Sequence, residues 1–151
     1  MGWSIVEMRI PTSPTVLAHI AGIVDGEGCV GIYRHRYRAS GEDRMSHHVR
    51  LNIANTCVPL MDYLSVHLGG EVRVYARGTH KPVYVWQAYG ENAGMVLQAI
   101  LPYLVVKKQH AEIALEFLGL GHYDRNGVPD GVSAARESLA VRMSVLNERK
   151  G

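Results

Sequence analysis

The sequence predicts an α+β fold: a helix, two strands, a second helix, two more strands, then further helices, with one four-stranded antiparallel sheet. Residues 46–54 alternate cleanly, with Val49, Leu51 and Ile53 on one side and His48, Arg50 and Asn52 on the other. Leu60, Leu64 and Leu68 recur at helical spacing and stop at Gly69-Gly70. The stretch Ile20 to Gly28 reads as the end of a helix that runs straight into a strand.

In chain order, residues 1–14 carry Pro11 and Pro14 and read as an irregular arm, followed by one domain over 15–151. Thr15 is read as the N-cap of a helix over about 16–26. A strand from Cys29 to Arg38 and a polar turn over 39–43 lead to the alternating strand. Asn55 or Thr56 then opens a helix with Pro59 in its first turn. The third strand is Glu71 to Arg77 and the fourth Val83 to Tyr89. Helices are expected over about 92–101, stopped at Pro102, and over about 108–118. Residues 119–132 read as a glycine-rich loop. Ser133 caps a last helix, in which Leu139, Met143 and Leu146 share a face.

The first helix has an unusual side. Ala18, Gly22 and Gly26 stack at intervals of four. Two helical glycines cost roughly 1 kcal/mol each against alanine. Close approach of a second helix is the usual compensation. The same helix ends in Asp25 and Glu27, where the backbone already presents bare carbonyls and partial negative charge. Carboxylates beside carbonyl oxygens are hard-cation chemistry and suit magnesium.

Composition sets the bounds. A chain of 151 residues with 47% hydrophobic content can bury a real core. The net charge of +2 does not by itself point to nucleic acid, but eight His and eight Tyr can contact bases or phosphates. Cys29 and Cys57 show no metal-ligand spacing, which favours a reducing compartment. No apolar run reaches membrane-span length and no secretory pattern is evident, so an intracellular protein with no membrane partner is expected.

Ile20-Ala21-Gly22-Ile23-Val24-Asp25-Gly26-Glu27-Gly28 closely resembles the motif of the LAGLIDADG homing endonucleases, with Gly at the seventh position and Glu at the eighth. Three further places fit the family: Asn55-Thr56 before a helix ending in Gly69-Gly70, Leu101-Pro102-Tyr103-Leu104 followed by Lys107-Lys108-Gln109, and Leu146-Asn147. Gly31-Ile32-Tyr33 also looks like the start of a GIY-YIG nuclease, but no YIG follows at a workable distance.

The resemblance implies the single-motif LAGLIDADG fold and a homodimer, with the motif helices packed along Ala18, Gly22 and Gly26. It implies a metal-dependent nuclease that cuts both strands of a long, near-palindromic double-stranded DNA site and leaves short 3′ overhangs. Glu27 and the Gly26 carbonyl would bind Mg2+, with Mn2+ able to substitute. Lys107, or Lys108 if the register slips, stands for the family's lysine near the attacking water. Asn55 takes the place of a residue that orders metal-bound water, and an N-cap role is an equal reading. Asp25 serves either the metal or the structure of the helix end. DNA is expected on the sheet face away from the helices. There, alternation places Tyr33, His35, Tyr37, His48, Arg50, Asn52, Arg73, Tyr75 and Arg77, with Tyr84 and Trp86 if Val83 and Val85 point inward. Arg34, Arg36 and Arg38 fall on the other parity and reach phosphates if the strand twists. A catalytically silent DNA binder and an intron maturase binding structured RNA share this fold and are the alternatives.

Overall fold

The structure, a computed structural model, describes residues 7–121 and 130–148. Most of the loop expected over 119–132, and the first six residues of the arm, lie outside the described residues.

Helix α1 spans Pro14–Glu27. Its N-cap is Ser13, not Thr15: the Ser13 hydroxyl accepts the Val16 N–H, and Pro14 takes the first helical position, where no N–H is needed. Ile20, Ala21 and Val24 are its buried face. Strands β1 (Gly28–Ala39) and β2 (Glu42–Asn55) form a longer hairpin than expected. The reason is the turn. Ser40 and Gly41 both adopt positive φ, 54° and 76°, which closes the hairpin in two residues.

Helix α2 (Val58–Leu68) buries Met61, Leu64 and Leu68 and stops at Gly69 and Gly70, whose φ values are 69° and 83°. Strand β3 is Glu71–Tyr75 and β4 is Val83–Tyr89, in a sheet of order β1-β2-β4-β3 with every pair antiparallel. Helix α3 (Gly90–Ile100), a short 3-10 turn at Leu101–Tyr103 and helix α4 (Lys108–Leu118) follow. Helix α5 spans Asp130–Glu148, so Ser133 lies inside it rather than at its cap. Leu139 and Met143 are buried on it and Leu146 is half-buried, as their spacing predicts.

The helices cover one face of the sheet and the core lies between. Register shows which residues point inward: Val30 pairs with Leu51, Ile32 with Val49, and Ile53 with Trp86, which also faces Val72. All six are buried. Tyr84 and Trp86 therefore belong to the core, contrary to the expected outward placement. Val83-Tyr84-Val85-Trp86 is apolar on both parities, so alternation alone cannot orient it. Position beside Ile53 and Val72 does. Inside, the indole N–H donates to the Gly69 carbonyl at 2.8 Å. Gly70 is required beneath the ring, because a Cβ there would lie 2.9 Å from the indole nitrogen.

The arm is docked along its described part. Arg9 N–H donates to the Leu68 carbonyl, and Met8 and Ile10 pack on the core.

Candidate active site and nucleic-acid interface

The site is built where α1 runs into β1. Gly28 caps the helix, its N–H donating to the Val24 carbonyl, and starts the strand in extended conformation. Gly28 is buried so tightly that a Cβ would meet the Val24 carbonyl oxygen at 2.6 Å. This sharp passage leaves Glu27 exposed at the helix end. Glu27 makes no hydrogen bond or ion pair among the described residues. Asp25, two residues earlier, is committed: Oδ2 accepts the Val105 N–H at 3.0 Å and Oδ1 the Lys107 N–H at 2.9 Å. Of the two readings of Asp25, the structural one matches this geometry.

The same contact brings Lys107 to the end of α1. Lys107 is the N-cap residue of α4 and only 1% exposed, whereas Lys108 is exposed. Asn55 ends β2, and its side-chain oxygen accepts the Cys57 N–H at 2.9 Å, a turn that leads into α2. Ala18, Gly22 and Gly26 lie on the exposed side of α1, and a Cβ added to either glycine would meet nothing within 4 Å.

The outer sheet face holds most of the expected contact residues. Tyr33, His35 and Tyr37 lie on it along β1, His48, Arg50 and Asn52 along β2, and Arg73 and Tyr75 along β3. Arg77 lies past the end of β3, on the connection to β4. Arg50 sits opposite Gly31, and its guanidinium lies 3.7 Å over the Tyr33 ring. Gly31 permits this, since a Cβ there would come 2.8 Å from that ring. Burial raises the Tyr33 pKa above its usual value, against the opposing pull of Arg50. His48 is tied to Ser46 at 3.0 Å.

Gln87 and Tyr89 also lie on this face and were not foreseen. Gln87 faces Asn52 and Glu71 across the sheet and donates to Glu71 at 3.1 Å. Arg73 also bonds Glu71, at 2.9 Å, and this bond lowers the Glu71 pKa. The available signal was Gln87 itself, the one amide within the apolar strand, whose parity fixes Val83, Val85 and Tyr89 as its companions.

Arg34 lies on the helix side, and the expectation that it reaches a phosphate is corrected. It forms a two-bond ion pair with Glu137 of α5, at 2.7 and 3.2 Å. His47 Nε2 meets the same carboxylate at 2.7 Å. Together they hold the Glu137 pKa down at about 2, Arg34 contributing most. Arg36 and Arg38 are exposed further along the hairpin.

No sequence-family description matches the chain, and no curated protein sequence matches it. Solved structures do. The homing endonuclease I-CvuI, solved in complex with a DNA target, superposes with a TM-score of 0.69 at 20% identity, over 89% of this chain and 82% of that one. The archaeal intron-encoded homing endonuclease I-Vdi141I, complexed with DNA, gives 0.68 at 19%, over 89% and 85%. The homing endonuclease I-TnaI gives 0.60 at 16%, over 87% and 95%. These chains are matched over most of their own length by a chain holding one copy of the nonapeptide. The protein has the single-motif LAGLIDADG homing-endonuclease fold.

Proposed function

We propose that the protein is a site-specific DNA endonuclease. It binds a long, near-palindromic duplex as a homodimer and hydrolyses one phosphodiester per strand with a divalent metal, leaving short 3′ overhangs. The observation that carries this reading is the arrangement around α1. Glu27 stands uncommitted at the helix end, beside a small-residue face with open space, and continues into a sheet whose outer face carries arginine, tyrosine and histidine.

The donor set fits a hard cation such as magnesium, or manganese in its place. The Glu27 carboxylate and the Gly26 main-chain carbonyl would hold it, while Asp25 is occupied by amides. Among the described residues no cluster of three His, Cys, Asp or Glu forms a metal site within one chain. The remaining ligands would then come from phosphate, water and a second copy, the usual habit of magnesium at phosphoryl centres. Bound there, the metal would neutralise phosphate charge and stabilise the leaving oxygen. Lys107 supplies positive charge near the attacked phosphate, and Asn55 orients water. Tyr33, Tyr37, Tyr75 and Tyr89 keep the outer face aromatic although Trp86 is core. A β-ribbon of this kind fits the major groove, where Arg50, Asn52 and His48 can meet base edges.

Selection from a randomised duplex library tests the reading, with binding in calcium and cutting in magnesium. Recovery of one long, near-palindromic site that is both bound and cut supports it. A site bound but never cut in magnesium or manganese establishes the silent DNA binder instead.

A further inference from the structure

The metal end of α1 and the lysine segment are joined by one side chain. Asp25 reaches residues 80 and 82 positions downstream and uses both oxygens on their amides. Three features make the contact unusual. A carboxylate in the last turn of α1 opposes that helix's own dipole. Helix α4 begins with no side-chain cap and no acidic residue in its first turn, so Asp25 supplies from another element the negative charge its N-terminus lacks. Val105 and Val106 are 81% and 63% exposed, so apolar packing does not pin the segment between Leu104 and Lys107.

We propose that Asp25 is a positioning residue. Its carboxylate fixes the main chain of 105–107 and so sets Lys107 in register with Glu27, two residues further along α1. Lys107 is enclosed, so its ammonium goes where its backbone is placed. Asp25 acts through Lys107 and does not ligate metal, and each chain brings one motif carboxylate to the cation. The inference rests on the nuclease reading.

The test is single-turnover cleavage of the selected site by wild type, Asp25→Asn, Lys107→Met and the double variant, with binding measured in calcium alongside. Asparagine keeps one acceptor but sets its NH2 against the second amide. Asp25→Asn should slow cleavage on the order of 10- to 100-fold, the usual effect of a small misplacement. Its binding and its half-saturating magnesium concentration should stay within about twofold, and the double variant should be no slower than Lys107→Met alone. Asp25→Ser, which keeps a hydroxyl acceptor without the charge, is run in parallel in case the amide variant does not fold, with the same expectation. Independent, multiplying losses in the double variant overturn the proposal, as does a raised magnesium requirement. Wild-type cutting with an equally fast Asp25→Asn sinks this inference and leaves the nuclease reading intact. A wild type that binds without cutting removes that reading and this inference with it.

Discussion

Arg50→Ala separates a DNA-reading face from an ordinary polar one. Arg50 lies mid-strand on β2, between Gly31 on β1 and Tyr89 on β4. Its guanidinium is stacked on Tyr33, and its Nε is enclosed without a hydrogen-bond partner among the described residues. In the protein alone, the stack contributes about 0.5–1 kcal/mol, the range for a partly exposed cation over a ring. Unfolding should therefore shift by no more than that. On DNA the stacked fork is already ordered, so little rotamer entropy remains to be lost. Losing a two-bond contact to a base should cost about 1–3 kcal/mol, and more at one base pair than at others. That is about 5- to 150-fold in Kd. Arg50→Lys keeps the charge but not the fork, and should recover affinity at low salt without recovering base preference. Fluorescence anisotropy in calcium at fixed ionic strength, on the selected duplex and its single-pair variants, reads both. Unchanged affinity and unchanged preferences in Arg50→Ala would refute the placement of DNA on this face.

Trp86→Phe strips the donor from the buried Gly69 carbonyl and should destabilise the fold by about 1–3 kcal/mol in urea, with DNA affinity unchanged. An unaltered urea midpoint would contradict the inward tryptophan. Glu137 has a folded-state pKa depressed from 4.5 to about 2, so its contribution is complete above pH 4.5 and is lost as pH falls toward 2. The carboxylate side chain is 47% exposed, so screening limits the effect of Glu137→Gln to about 1 kcal/mol near neutral pH. The stability gap between wild type and variant should close across that acid range, and a gap independent of pH would contradict the pairing. Gly22→Leu meets open space in one subunit and gains roughly 1 kcal/mol of helix propensity, yet should turn a dimer into a monomer in sedimentation at micromolar concentration. A parent protein that sediments as a monomer and still cuts would refute the dimer.

The sequence carried the element order because each strand and helix has its own local signal. The Val49-Leu51-Ile53 alternation and the Gly69-Gly70 stop are set by residues adjacent in the chain. The strand β4 parity is not. It depends on Ile53 and Val72, which reach Trp86 only across the sheet. The hairpin turn was misjudged because Ser40 at positive φ leaves no trace in a polar run. In the site, the carboxylate of Glu27 at the end of α1 was readable from the motif, and so was a structural reading of Asp25. The partners of Asp25 were not, because they are amides, which every residue but proline offers. Arg34 was misread for a similar reason, since Glu137 lies 103 residues away.

The most direct test concerns Glu27. A plasmid carrying the selected site is incubated in magnesium with wild type or Glu27→Gln, a change that keeps shape and removes the anchoring charge. In the proposed arrangement binding rests on the separate sheet face, so it should persist in calcium. Wild type should linearise the plasmid, while Glu27→Gln binds the site and leaves it uncut. Cutting by Glu27→Gln at the wild-type rate would contradict the assigned metal site.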